Sequence, residues 1–180
     1  MCGLAGLLLP QPRLHGDALA AQAQAMADAL VHRGPDDAGV WVDAQAGIAL
    51  SHRRLGILDL SPLGHQPMVS ADGRYVLAYN GEVYNFAALR AALGALGHRF
   101  RGHSDTEVLL AAIAEWGVED TLGRCNGMFA IALWDRRLRC LWLARDRVGK
   151  KPLYYGWAGD ALVFGSEPVS YTHLRAHETL

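Results

Sequence analysis

The order of the secondary-structure patterns is the feature that most limits how this chain can fold. Helical periodicity occurs in the first two thirds of the chain, in the segments 17–31, 86–96 and 104–116. Short apolar runs separated by polar turns fill the end, at 128–134, 139–144, 153–157 and 161–165. Helices that come early, followed by hairpins, favour sheets packed together with helices on their outer faces over a doubly wound parallel sheet.

Local signals predict several further boundaries. The segment 3–9 is an apolar run ended by Pro10, which is long enough for a buried strand and too short for a helix. Strands are also predicted at 39–42, 47–51 and 75–79. Ser104 and Glu107 have the spacing of a capping box, so the third helix is predicted to begin there.

Composition and charge exclude several functional classes. The 180 residues are 51% hydrophobic and 19% charged, which is typical of one globular domain. With 17 basic and 18 acidic residues the net charge is −1, so the chain lacks the long-range field on which nucleic-acid and anionic-membrane binding depend. Neither a membrane-length apolar run nor a signal-peptide pattern is present. We therefore predict a cytoplasmic protein that binds neither nucleic acid nor a membrane.

The position of Cys2 is unusual. The chain has three cysteines, an odd number, and they are far apart in sequence: Cys2, Cys125 and Cys140. The histidines do not have the spacing of metal ligands. Neither disulfides nor a metal site is therefore predicted. Removal of Met1 would leave Cys2 with a thiol and a free α-amine on one Cα. In model peptides a free thiol titrates at about 8.5 and an α-amine at about 7.7–8.0, so an amine of this kind can act as the base for a thiol near neutral pH.

Nine sequence blocks in order resemble the class II glutamine amidotransferases, the N-terminal-nucleophile hydrolase domains that begin asparagine synthetases. The blocks are MCGLAG at 1–6, HRGPD at 32–36, HRRLGI at 52–57, GHQPM at 64–68, NGEVYN at 80–85, SDTE at 104–107, GMFA at 127–130, RDRVGKKPLYY at 145–155 and FGSE at 164–167. The resemblance covers residues 2–167. It implies an α+β fold, a four-layer αββα sandwich of two antiparallel sheets.

The resemblance also implies a catalytic group. Cys2 would be the nucleophile that attacks the side-chain amide of glutamine. The side-chain amide of Asn80 and the backbone N–H of Gly81 would donate hydrogen bonds to the oxyanion that forms. Taken alone, however, an Asn-Gly pair after a strand is the commonest hairpin-turn signal, and that local interpretation competes with the oxyanion role.

The residues implied to bind glutamine match its zwitterionic end. Arg54 corresponds to the residue that binds the α-carboxylate, and Asp105 and Glu82 to the groups that receive the α-ammonium. A solvated surface arginine and a first-turn helix carboxylate are the local alternatives for Arg54 and Asp105. The resemblance further implies that the wall of the pocket contains Leu55, Ile57 and Leu58. It also implies that Arg33 and Asp36 hold the glutamine loop in shape.

The implied reaction is the glutaminase half of asparagine synthesis: glutamine gives glutamate and ammonia through a thioester on Cys2. This segment requires no cofactor, because ATP and magnesium belong to a C-terminal synthetase domain whose ATP-pyrophosphatase loop has no counterpart here. That domain is the expected partner, and the resemblance leaves open a homodimer of the full-length protein. Three alternatives remain. The first is an amidotransferase for another acceptor in exopolysaccharide or amino-sugar tailoring, and the second is a non-catalytic scaffold relative, which characteristically lacks the cysteine that is present here as Cys2. The third is a module that binds glutamine without turnover.

The segment 168–180 differs in character from the rest of the chain. Its strand periodicity stops, and Thr, His and Arg follow without pattern. The string resembles translated sequencing-adapter read-through, so we predict a non-native tail after residue 167.

Overall fold

The computed structural model describes residues 1–11, 15–56 and 61–172. In these ranges the strands, in chain order, are β1 (Gly3–Leu8), β2 (Asp37–Asp43), β3 (Ile48–Arg54), β4 (Met68–Val69), β5 (Tyr75–Val83), β6 (Gly127–Asp135), β7 (Cys140–Arg145), β8 (Tyr154–Ala158) and β9 (Ala161–Gly165). The helices are α1 (Gly16–Asp28), α2 (Phe86–Ala95), α3 (Asp105–Trp116), α4 (Val118–Arg124) and α5 (Val169–Thr172). A short 3-10 turn covers Pro62–Gly64.

The strands form two antiparallel sheets. One has the order β2-β3-β1-β9-β8 and the other β4-β5-β6-β7. Alternate residues of each strand point to opposite faces, and the inner faces of the two sheets meet in a core that contains Leu4, Leu50, Val76, Trp134 and Phe164.

Helices cover both outer faces. On the first sheet α1 packs through Leu19, Ala23 and Met26. The helices α2, α3 and α4 contribute to the core on the outer face of the second sheet. The structure therefore has four layers, helix, sheet, sheet and helix, and the predicted αββα sandwich is confirmed.

Strand β5 continues past the predicted end of the strand at residue 79. Asn80 pairs with Ala130 and Gly81 with Phe129 of β6, so the Asn-Gly pair lies inside a strand and the hairpin-turn interpretation is wrong. A Cβ at Gly81 would collide with the backbone oxygen of Met128, which explains why glycine stands there. Pairing over the full length of two strands outweighs the local turn preference.

The start of α3 follows the predicted cap only in part. Ser104 Oγ accepts a hydrogen bond from the N–H of Glu107 at 3.3 Å. The Glu107 carboxylate reaches further back, to the N–H groups of Arg101 and Gly102 at 2.8 and 2.9 Å. The loop before α3 is thus fixed by the first turn of the helix.

The short helix α5 lies within the segment 168–180. Ser170 is fully buried, and its Oγ donates to the carbonyl of Glu167 at 2.7 Å. The helix packs against α1. The origin of this segment stays a prediction, and residues 173–180 lie outside the described part of the chain.

Candidate active site

A pocket lies where β1 begins, β3 ends and α3 begins. It brings together five residues that the resemblance implied for the site, Cys2, Arg54, Leu55, Gly81 and Asp105. Five further residues complete its lining: Gly64, Gln66, Tyr79, Ser104 and Thr106. The site is therefore built from both sheets and from the N-terminal end of a helix.

Cys2 is held at the pocket by the end of β3. Gly3 pairs with Arg53, which places the half-buried Cys2 beside Leu55. The N–H of Leu55 donates to Cys2 Sγ at 3.4 Å, and the thiol lies 3.6 Å from the Leu55 carbonyl oxygen. These contacts fix the sulfur at the pocket wall before any ligand binds.

The backbone of Cys2 is supported by Arg33. Arg33 Nε donates to the Cys2 carbonyl at 3.0 Å, and Arg33 Nη1 donates to Glu167 Oε1 at 2.6 Å. His32 Nε2 lies 3.2 Å from both carboxylate oxygens of Glu167. The hydrogen bond from Arg33 is the main reason that the pKa of Glu167 lies below its usual value. Arg33 thus fixes the backbone of Cys2, and Glu167, to which sequence reasoning gave no role, anchors Arg33.

Asp36 fixes the segment that follows β3. Its Oδ2 accepts from the N–H of Gly56 at 2.8 Å, and its own N–H donates to the Arg54 carbonyl at 3.0 Å. The implied wall residues Ile57 and Leu58 come directly after Gly56 and lie outside the described residues.

The two consecutive arginines of β3 have different environments because strand residues alternate in direction. Arg54 lines the pocket, and its Nη1 donates to the Ser61 carbonyl at 3.0 Å. Gly64 lies against this guanidinium so closely that a Cβ there would collide with it. Arg53 instead forms an ion pair with Asp28 near the end of α1. Arg54 therefore carries the positive charge of the pocket, whereas the Arg53 side chain, which is only 15% exposed, is bound at α1 outside the pocket lining.

The side-chain amide of Asn80 is a buried hydrogen-bond donor that has no acceptor among the described residues. Its side chain is 1% exposed, and Nδ2 has no hydrogen-bond partner within the described ranges. A buried donor left unpaired is unfavourable, and such groups often mark the place of a ligand or a catalytic role. Glu82, two residues further along the same strand face, is half-buried and lies outside the pocket lining.

Asp105 is the buried carboxylate of the pocket. Its Oδ2 accepts from the hydroxyl of Tyr79 at 2.7 Å and from the N–H of Val83 at 3.0 Å. Burial and the neighbouring Asp105 raise the pKa of Tyr79 well above its usual value, so the phenol stays protonated and remains a donor. Asp105 and Arg54 thus line one pocket, which has one residue of each charge type and the Cys2 thiol.

Sequence reasoning gave no role to Gln66, Thr106 or Tyr79. Gln66 Oε1 accepts from the N–H of Tyr79 at 2.7 Å, and its Nε2 donates to Thr106 Oγ1 at 3.4 Å. Their positions give the only signal in the sequence. Gln66 lies in the block at 64–68 and Thr106 in the block at 104–107, and Tyr79 directly precedes the block at 80–85.

His52 is a structural residue next to the pocket. It is buried between the sheets, and its Nε2 bonds to the Tyr79 carbonyl at 2.9 Å, so Nε2 carries the proton. Burial lowers the pKa of His52 to about 4, which keeps the ring neutral at neutral pH. Within the described ranges, no group of three or more His, Cys, Asp or Glu side chains could hold a metal ion. No helix there is long and apolar enough to cross a membrane.

The fold is shared with a solved amidotransferase. Glutamine phosphoribosylpyrophosphate amidotransferase from Bacillus subtilis superposes with a TM-score of 0.79 at 23% identity, over 94% of this chain and 43% of that one. At this identity the similarity establishes the shared fold alone. A family model for the glutamine amidotransferase domain matches residues 1–179, and this chain belongs to that family.

Curated relatives are much longer than this chain. It is 44% identical over 144 residues to asparagine synthetase [glutamine-hydrolyzing] 3 of Bacillus subtilis, covering 79% of this chain and 23% of the relative. It is 40% identical over 178 residues to a putative asparagine synthetase [glutamine-hydrolyzing] of Mycobacterium tuberculosis, covering 93% and 27%. It is also 35% identical to amidase chry2 of Gibberella zeae, covering 95% and 26%. The chain therefore spans about a quarter of the length of these relatives.

Proposed function

We propose that this domain hydrolyses L-glutamine to L-glutamate and ammonia with Cys2 as the nucleophile. The observation that carries the proposal is the position of the Cys2 thiol in a pocket that also holds the Arg54 guanidinium and the Asp105 carboxylate. Membership of the glutamine amidotransferase family gives the substrate class.

The two charged side chains suit the amino-acid end of glutamine. The planar guanidinium of Arg54 can bind the α-carboxylate through two parallel hydrogen bonds, which a lysine could not do. The carboxylate of Asp105 can accept from the α-ammonium group. With the substrate held at both charges, we expect its side-chain amide to extend toward the Cys2 thiol, which lines the same pocket.

The chemical steps follow from these positions. After removal of Met1, the α-amine of Cys2 takes the thiol proton, and the sulfur attacks the amide carbon of glutamine. The carbonyl oxygen gains negative charge and accepts from Asn80 Nδ2 and the Gly81 N–H. The C–N bond then breaks, the amine returns its proton to the departing ammonia, and a γ-glutamyl thioester remains. Water attacks the thioester carbon and gives a proton to the same amine. The C–S bond then breaks, the amine passes this proton to the sulfur, and glutamate and the free thiol are released.

Substitution of the nucleophile tests the proposal. In Cys2→Ala, we expect glutamine binding to persist while glutamate release disappears. Cys140→Ala is the matched control because Cys140 is also a half-buried free thiol, located on β7 and outside the pocket lining. Intact mass should show the loss of Met1 in active parent protein. Glutamate release by Cys2→Ala, or by protein that retains Met1, would refute the mechanism, and binding without turnover in the parent would favour a glutamine-binding module.

The acceptor of the ammonia belongs to the longer protein. We propose aspartate, activated with ATP and magnesium by a C-terminal synthetase domain, because several relatives are named asparagine synthetases. The similarity to amidase chry2 supports a second candidate, an amidotransferase for a different acceptor. Expression of the full gene and an assay of asparagine formation from glutamine, aspartate and ATP separates the two. Glutaminase activity without asparagine formation would favour the other acceptor.

A further inference from the structure

Tyr79 is a buried pocket residue whose hydroxyl takes no part in the chemical steps above. We infer that Tyr79 is a positioning residue, which orients the Asp105 carboxylate toward the α-ammonium group of glutamine and so contributes to selection of an α-amino acid as substrate. This inference rests on the proposed function and adds a specificity determinant to the same site.

The hydrogen bonds of Asp105 are unevenly distributed over its two oxygens. The Tyr79 hydroxyl and the Val83 N–H both donate to Oδ2, at 2.7 and 3.0 Å. No hydrogen bond from the described part of the chain reaches Oδ1. One oxygen is therefore committed to β5, and the other is left to accept from a ligand in the pocket that Asp105 lines.

Tyr79 can hold Asp105 because its own backbone is fixed on both sides. Its N–H donates to Gln66 Oε1 at 2.7 Å, and its carbonyl accepts from His52 Nε2 at 2.9 Å. Strand β4 pairs with β5 only at Val76 and Leu77. Beyond these pairs, the side chains of Gln66 and His52 supply the hydrogen bonds to the Tyr79 backbone. Tyr79 is 2% exposed, and the aromatic ring has little freedom to move away from Asp105.

The protonation state of Tyr79 suits this role. Its raised pKa means that the phenol is a donor at any pH at which the enzyme would work. A neutral donor at Oδ2 orients the carboxylate without supplying a positive charge that would compete with the α-ammonium group. Loss of the hydroxyl leaves the Val83 N–H as the only donor to Oδ2 among the described residues, and the carboxylate can then rotate.

The test compares two ligands that differ only in the α-ammonium group. The substrate is L-glutamine, and glutaramate, which has the same amide and carboxylate but no α-ammonium, serves as a competitive inhibitor of glutamine hydrolysis. For Tyr79→Phe we expect KM for glutamine to rise about tenfold, the size of effect typical of a hydrogen bond to a charged group, with kcat within about twofold of the parent. The Ki of glutaramate should stay unchanged.

Two variants make the result specific. Tyr75→Phe is the matched control, since Tyr75 lies on the same strand and in the same core and is also buried, and its KM should equal that of the parent. In an Asp105→Asn background, Tyr79→Phe should raise KM by much less than in the parent, because the charged acceptor is already gone.

Several outcomes would overturn the inference. A KM and a Ki that rise by the same factor would show a general change of pocket shape, and an unchanged KM would show that the hydroxyl has no role in binding. Unfolding of Tyr79→Phe, while Tyr75→Phe folds, would assign the hydroxyl to stability. A parent domain that neither hydrolyses nor binds glutamine would refute the proposed function itself, whereas the other outcomes refute only the role of Tyr79.

Discussion

Replacement of Asn80 by alanine should change activity and stability in different ways. In the resting protein Asn80 Nδ2 is buried without a hydrogen-bond partner in the described part of the chain, and such a group costs about 1–3 kcal/mol. Alanine removes this penalty together with the packing of three side-chain atoms. Because the two effects oppose each other, we expect the free energy of unfolding to change by less than about 1 kcal/mol.

The effect on catalysis should be large. If Nδ2 finds its acceptor only when the amide oxygen becomes negative, its removal lowers kcat by about 100- to 1000-fold, equivalent to about 2.7–4 kcal/mol of transition-state stabilisation. KM for glutamine should change little. Steady-state glutamate release and urea unfolding, measured on the same preparation, give both quantities.

A second buried amide provides the contrast. Gln66 is bonded at both ends of its amide, to the Tyr79 N–H and to Thr106 Oγ1. Gln66→Ala leaves the Tyr79 N–H without this acceptor, so we expect a loss of stability of about 1–3 kcal/mol. Equal destabilisation by Asn80→Ala and Gln66→Ala, or a raised KM with unchanged kcat in Asn80→Ala, would refute the argument that the Asn80 amide is reserved for the transition state.

Two further predictions concern charged groups. Arg54→Ala should raise KM for glutamine with little effect on kcat, because the α-carboxylate is bound equally in the ground and transition states. Arg53→Ala alters the ion pair with Asp28 and should leave KM unchanged in the same assay. His52 has a folded-state pKa of about 4 against an ordinary value of 6.5, so the unfolded chain binds the proton more readily. Stability is therefore full above pH 6.5 and falls by up to about 3 kcal/mol as the pH drops to 4. Urea unfolding of His52→Gln should show a shallower decline over this range, and an equal slope in both proteins would contradict the assignment.

Much of the fold could be predicted because its signals are local. The hairpin strand β9 has the predicted bounds, Ala161–Gly165, and α3 begins at the predicted cap. The short elements α4 and β4 were not predicted, since seven and two residues hold too little periodicity. The extension of β5 through Asn80 and Gly81 depends on nine pairs with β6, more than 40 residues away, and no local preference encodes it.

The site residues could be predicted because the nine sequence blocks resemble a known family, and that resemblance implied roles for Cys2, Arg54 and Asp105. The structure brings these three residues to one pocket. The roles of Gln66 and Tyr79 come from hydrogen bonds across 13 and 26 residues of sequence. Periodicity reveals which face a residue occupies, but not which polar partner it will meet there.

The ion pair between Arg33 and Glu167 joins regions that are far apart along the chain. Arg33 donates a hydrogen bond to the carbonyl of Cys2, and Glu167 lies between β9 and the short helix α5. The ion pair therefore ties the end of β9 to the backbone of Cys2. Two side chains hold the start of the chain in place from a position 134 residues beyond Arg33.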